Sequence, residues 1–214
     1  MYKIYINENP ILLCSSSHLD RLESKDKWEI FPYMGNAKVL LNYVDLLEKA
    51  NQKRNIVLHS SDYLGLKVDF KRLFNKISAS GGIVEDNNGK ILFIYRRGFW
   101  DLPKGKREKG EKKRTCALRE VEEETGLMGI EVGKKIGKSR HTYRDPESGE
   151  RVLKITHWYR MKAGPDKTLQ LQAEEDIEDA KWLYADEFIE EKYPTFASIE
   201  SLLGTYLEKV SQLK

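Results

Sequence analysis

Short apolar runs open the chain. YKIYI and ILLC flank Asn7-Glu8-Asn9-Pro10, a turn signal, so the pattern predicts a hairpin. Trp28–Phe31 predicts a third strand. From Asn36 the period changes: Val39, Leu40, Tyr43, Val44, Leu46 and Leu47 follow helical spacing, and Asn36 is a suitable cap. NIVLH at 55–59 reads as a strand, and a second helix starting at Tyr63 or Val68 is expected to end near Ile77. The run Ser78-Ala79-Ser80-Gly81-Gly82 then marks a boundary between a small α/β domain, residues 1–77, and a second domain, residues 78–214.

The second domain opens with a hairpin pattern, GGIVE and KILFIYR around the turn DNNG at 86–89, followed by a short strand at Phe99–Leu102. Ala117, Leu118, Val121 and Thr125 predict a core-facing helix over Lys113–Thr125, stopped by Gly126. Two long extended stretches, Ile130–Tyr143 and Val152–Met161, are joined by the polar turn RDPESGE. Ala180–Leu183 predicts a last strand, and helical spacing returns at Ala185–Glu191 and Thr195–Leu213. Strands surrounding central and terminal helices predict an α+β class, an α/β/α sandwich.

With 214 residues, 40% of them hydrophobic, the chain is long enough to bury a core. No apolar run approaches the ~18 residues of a membrane span, and the first residues are too short and polar a run for a signal peptide, so a cytoplasmic location is expected. Cys14 and Cys116 fit no disulfide or metal spacing and are read as buried thiols. The net charge of +3 is mild. It argues against nucleic acid as a partner unless the charge is clustered, and no helix-turn-helix or zinc pattern is present.

Clustering does occur. Arg96 to Arg119 carries 10 basic residues and 3 acidic ones, and four glutamates then crowd into Glu120–Glu124. On a helix Glu120, Glu123 and Glu124 share a face, expected to lie away from Ala117, Leu118 and Val121. Each like-charge pair there costs roughly 0.2–0.5 kcal/mol. A hard divalent cation, Mg²⁺ or Mn²⁺, would offset that repulsion, and lysines around Gly105 and Gly110 suit phosphate. Arg119 is placed to orient a carboxylate. The plainer alternative is a solvated, charge-laced helix.

The spacing resembles the box of the Nudix hydrolases, G-x5-E-x7-R-E-U-x-E-E-x-G-U with U aliphatic. Gly105, Glu111, Arg119, Glu120, Val121, Glu123, Glu124, Gly126 and Leu127 match every fixed position. Gly81-Gly82, Trp100–Lys106 and Trp182 extend the resemblance over about Ser80 to Leu213; residues 1–77 are outside it. The resemblance implies a Nudix sandwich with a mixed sheet and hydrolysis of phosphoanhydrides with Mg²⁺ or Mn²⁺. It implies metal ligation by Glu120, Glu123, Glu124 and the backbone carbonyl beside Gly105, that of Lys104, with Arg119 and Glu111 bracing the loop and helix. The general base is left among Glu123, Glu124 and the acidic pair Glu174-Glu175, with Glu175 as the candidate from that pair. Lys104, Lys106, Arg97 and Trp100 are the expected substrate contacts. A small-molecule substrate with many phosphates, a dinucleoside polyphosphate or a diphosphoinositol polyphosphate, is favoured, with ADP-ribose and oxidised nucleoside triphosphates still open. The alternative is a ligand-sensing module without turnover. A homodimer is open, and Glu122 falls outside the pattern, as a solvent residue.

Overall fold

The computed structural model describes residues 1–212; Leu213, the expected end of the last helix, lies outside the described residues. In chain order the first elements are β1 (Tyr2–Ile6), β2 (Asn9–Ser15), β3 (Glu29–Pro32), α1 (Ala37–Glu48), β4 (Ile56–Ser60), α2 (Tyr63–Arg72) and β5 (Asn75–Glu85). There follow β6 (Ile91–Arg96), β7 (Phe99–Asp101), β8 (Lys104–Lys106), α3 (Lys113–Thr125), β9 (Glu131–Arg144) and β10 (Arg151–Lys162). The last are β11 (Ile177–Leu183), α4 (Ala185–Glu190) and α5 (Ala197–Ser211). The chain divides into two compact units, one of Met1–Lys76 with Arg140–Lys154, the other of Ile77–Ser139 with Ile155 onwards.

In the first unit β1 and β2 form the expected hairpin, with Asn7 and Glu8 at φ 48° and 61° in the turn. β4 lies between β2 and β3 and runs parallel to both, which requires the crossover helix α1. Asn36 does cap α1, its side chain accepting from the Lys38 N–H at 3.0 Å. β1 also pairs in parallel with His141 and Thr142 at the far end of β9. From the same hairpin end, Arg144 and Arg151 each donate to Glu48 at 2.8 Å.

The boundary region differs from expectation. α2 stops at Arg72, and the Ser78–Gly82 run is the interior of strand β5, not a linker. Packing supplies the reason for its small residues. A Cβ on Gly81 would meet the Pro103 carbonyl oxygen at 2.4 Å, and one on Gly82 would meet Met161 Sδ at 2.7 Å. These positions read as loop in composition because close packing and loops both select small side chains.

In the second unit the strand order is β11-β6-β5-β10-β9, with β7 paired to β6 and β8 to β5. Alternation along the strands sends Val84, Leu92 and Met161 to one face, where they pack with Ala117 and Val121 of α3. Ile83, Phe93 and Trp158 go to the other, against Phe188 of α4 and Leu202, Leu203 and Tyr206 of α5. The result is the α+β sandwich, with helices on both faces of the sheet.

Candidate active site

The site is built where the short strand β8 meets α3. β8 pairs antiparallel with β5, Ser80 opposite Gly105. The Pro103 carbonyl accepts from the Gly82 N–H at 3.1 Å, and the Arg107 N–H donates to the Ser78 carbonyl at 2.9 Å. Strand alternation therefore turns the N–H and C=O of Lys104, like the C=O of Lys106, away from β5. On that side the Lys104 N–H donates to Glu124 Oε2 at 2.8 Å, and Arg119 reaches the Lys106 carbonyl at 3.2 Å. Gly105 is required by space, since a Cβ there would lie 1.7 Å from Glu120 Oε2.

Glu120 and Glu124 are buried, 9% and 2% exposed, on the same side of α3 as Cys116, Ala117 and Val121. This corrects the expectation of a face turned away from the apolar stripe. Carboxylates at i and i+4 sit beside that stripe because β8 covers them and supplies a backbone donor to Glu124, while Arg119 lies against Glu120. Burial pushes the Glu124 carboxyl up to about 7 against the opposing pull of Lys104 and Arg96. Burial likewise raises Glu120, opposed by Arg119. Glu123 is half-exposed and accepts from Arg119 at 2.8 Å. Glu122 is partly buried, where a solvent residue was expected.

Arg119 is the hub. It donates to both oxygens of Glu111, at 2.9 and 3.0 Å, and lies 2.9 Å from Glu120. Its bidentate hydrogen bond holds the Glu111 carboxyl down at about 2 despite burial. Glu111 in turn accepts from the Glu108 N–H at 3.0 Å, which fixes the lysine-rich loop to the helix.

The remaining expected contacts divide. The Lys104 ammonium is buried 2.6 Å from Asp101 Oδ2 and so is neutralised within the protein. Lys106 is exposed on β8. Arg97 is not brought into the cluster: it occupies the β6–β7 turn at φ 51° and pairs with Asp176 at 2.6 Å. Trp100 is in the core, 6% exposed and packed against Tyr95 and Tyr193, which leaves little ring face for a ligand. Glu175 sits on a 3₁₀ turn, Ala173–Glu175, held near the end of α3 by Gln170 N–H to the Thr125 carbonyl and Gln172 N–H to the Glu124 carbonyl. Between Glu175 and Glu124 stands Arg96, 3.8 and 3.6 Å from them, and it also donates to buried Asp101 at 3.2 Å. Arg96 and Asp101 are not among the residues the motif singles out. A signal was present: Gly98 marks a tight turn, and the resulting pairing of Ile94 with Asp101 puts Arg96 and Asp101 on one face.

Residues 76–201 match the model of the NUDIX domain. The chain belongs to the Nudix family. It is 26% identical over 150 residues to Nudix hydrolase 25 of Arabidopsis thaliana, an alignment covering 59% of this chain and 85% of that one. It is 32% identical over 108 residues to an 8-oxo-(d)GTP phosphatase of Mycolicibacterium smegmatis, covering 49% of this chain but 30% of that protein. The structure of a MutT protein from Methanosarcina mazei superposes with a TM-score of 0.50 at 18% identity, over 64% of this chain and 96% of that one, a likeness of fold.

Nudix family members use a divalent cation, and the donors here suit one. Two buried carboxylates, both with raised affinity for protons, and a backbone carbonyl turned to their side are hard oxygen ligands whose crowding a dication would relieve. Among the described residues no three His, Cys, Asp or Glu side chains are gathered at ligating distance.

Proposed function

We propose that this Nudix hydrolase, an enzyme acting on phosphorus-containing acid anhydrides, cleaves a small molecule carrying many phosphates, a dinucleoside polyphosphate or a diphosphoinositol polyphosphate. The observation that carries the reading is the burial of Glu120 and Glu124 against the Lys104–Gly105 backbone, next to a loop whose Lys106, Lys109, Lys112 and Lys113 are all exposed. In this reading Glu120, Glu123, Glu124 and the Lys104 carbonyl hold Mg²⁺ or Mn²⁺. When bound, such an ion activates water and shares the charge of the pyrophosphate. The chain's own groups do the rest. Arg119 and Glu111 fix the helix to the loop, so that the carboxylates keep their places. The exposed lysines bind phosphate oxygens, with Lys106 first among them, while Lys104 contributes through its backbone because its ammonium is committed to Asp101. Glu175, half-exposed and beside Arg96, takes the proton from water. Arg96, in place of Arg97, faces the substrate from the strand side. A cytoplasmic location belongs to the same proposal, supported by two buried free thiols, Cys14 and Cys116.

Mg²⁺-dependent cleavage of diadenosine tetraphosphate, a diphosphoinositol polyphosphate, ADP-ribose and 8-oxo-dGTP, followed by chromatographic separation of substrate and products, tests the reading, with Glu120→Gln beside the parent. One of the first two is expected to exceed the others in kcat/KM by about tenfold or more. Preference for ADP-ribose or 8-oxo-dGTP would overturn the substrate class, and full turnover by Glu120→Gln would overturn the site. Binding without turnover of all four would make the domain a sensor.

A further inference from the structure

A cleft of about 560 Å³ opens on the second unit, between β9, β10 and the last turn of α5. That volume is within the range of small-molecule pockets. Alternation along β10 places Arg160 and Lys162 on the same face as Trp158, which packs with Leu202, Leu203 and Tyr206 of α5. The carboxylates of α3 belong to the opposite face, so this cleft is not part of the site described above.

Its lining is cationic. Lys134 of β9, Arg160 and Lys162 of β10 and Lys209 of α5 line the cleft together with one carboxylate, Glu131. Two of these cations are held from within the fold. Arg160 makes a bidentate pair with buried Glu85, one arm at 2.7 Å, and Lys209 Nζ donates to the Ile136 carbonyl at 2.6 Å. The Lys135 ammonium is not among the cleft's cations: its Nζ shares a hydrogen bond at 2.9 Å with Nδ1 of His157, which alternates to the opposite face of β10. Lys134 and Lys162 are exposed, and neither forms an ion pair among the described residues. Even with Glu85 counted beside Glu131, four cations meet two carboxylates. Two uncompensated charges ~8 Å apart repel by about 0.5–2 kcal/mol at effective dielectric constants between 80 and 20. A multiply charged anion would remove that repulsion. Buried Ile136 and the aliphatic stems of the lysines add an apolar wall that a bare phosphate would not use.

We propose that this cleft is a second ligand site for a phosphorylated molecule of nucleotide size, its phosphates on Lys134, Lys162 and Lys209 and its apolar part against Ile136. Walls from β9, β10 and α5 favour a small molecule over the backbone of a nucleic acid. Titration calorimetry on the full chain tests it with ADP, pyrophosphate and a single-stranded DNA oligonucleotide as probes, in EDTA so that binding through a metal is suppressed. ADP is expected to bind, and to bind more tightly than pyrophosphate. Lys134→Gln/Lys162→Gln should weaken ADP about tenfold or more while leaving the melting midpoint and Mg²⁺-dependent turnover unchanged, since both lysines are exposed and neither forms an ion pair among the described residues. The proposal is overturned by ADP affinity that the double variant does not change, by pyrophosphate binding as tightly as ADP, or by binding of the oligonucleotide alone. Loss of turnover in the double variant would instead assign the cleft to the substrate of the α3 site.

Discussion

Gly105→Ala separates the close-approach argument from ordinary loop flexibility. Gly105 does not have a left-handed φ, so an alanine there is not strained by its backbone; what it lacks is room. The added Cβ would lie 1.7 Å from Glu120 Oε2 and 2.2 Å from Cδ, where ordinary contact begins at 3.4 Å. The Glu120 carboxylate must therefore retreat by about 1.7 Å, and a misplacement on the order of 1 Å at a reacting centre costs about 10²-fold in rate. Overpacking costs about 1–3 kcal/mol, offset by about 0.4–1 kcal/mol from the stiffer unfolded chain, so a net loss of roughly 1–2 kcal/mol should lower the melting midpoint by a few degrees. The control is Gly110→Ala. Gly110 has a φ of +82° and open space around it, so alanine there strains the backbone without touching Glu120. Turnover of a phosphoanhydride substrate is measured against Mg²⁺ concentration for both, alongside thermal melts. Gly105→Ala should lose about 100-fold in turnover with a raised Mg²⁺ requirement, and Gly110→Ala should keep activity at similar stability. If both variants lose activity equally, or Gly105→Ala keeps turnover within about threefold of the parent, then the approach of Glu120 to β8 is not what the glycine serves.

Glu124→Gln should trade activity for stability. Because burial raises the folded carboxyl to about 7 from 4.5, its favourable protonated form is complete below 4.5 and its stabilisation is lost as pH rises through 7. In EDTA the variant should thus melt above the parent at pH 8, with the gap closing below pH 4.5, and turnover should be abolished with Mg²⁺ present. Glu111 has the opposite sign. Its carboxyl, held at about 2 by Arg119, contributes stability that is complete above 4.5 and is lost as pH falls through 2. Glu111→Gln should cost about 1–3 kcal/mol in urea unfolding at neutral pH, a deficit that shrinks in acid. Deleting residues 1–76 should leave a chain that melts lower than the parent and aggregates, because Arg140–Lys154 belongs to the deleted unit; adding residues 1–76 in trans should restore it, and a fragment as stable as the parent would refute the division.

What could be read from sequence here depended on how local the signal was. The α3 helix, the 86–89 turn and the Asn36 cap rest on neighbours a few residues apart, and each carries its own physical mark. Helical spacing also put Glu120 and Glu124 on one side of α3. It could not say that the side is buried, because the covering strand β8 owes its place to pairing with β5, some 25 positions away in sequence. The same limit explains Arg96 and Arg97. Adjacent arginines look alike in composition, yet the turn at Gly98 sends one to Asp176 at the surface and the other between Glu124 and Glu175. Ser78–Gly82 failed for a different reason: small residues satisfy a linker and a crowded strand equally well, and the Pro103 carbonyl and Met161 decide between them. The ends of β9 and β10 compound this. Their alternation reads as one long hairpin, and nothing within it marks Arg144 and Arg151 as partners of Glu48, 96 and 103 positions earlier. The break between the units falls between Lys76 and Ile77, one residue from the expected cut, and what a single cut along the chain omits is the re-entry of the first unit at Arg140.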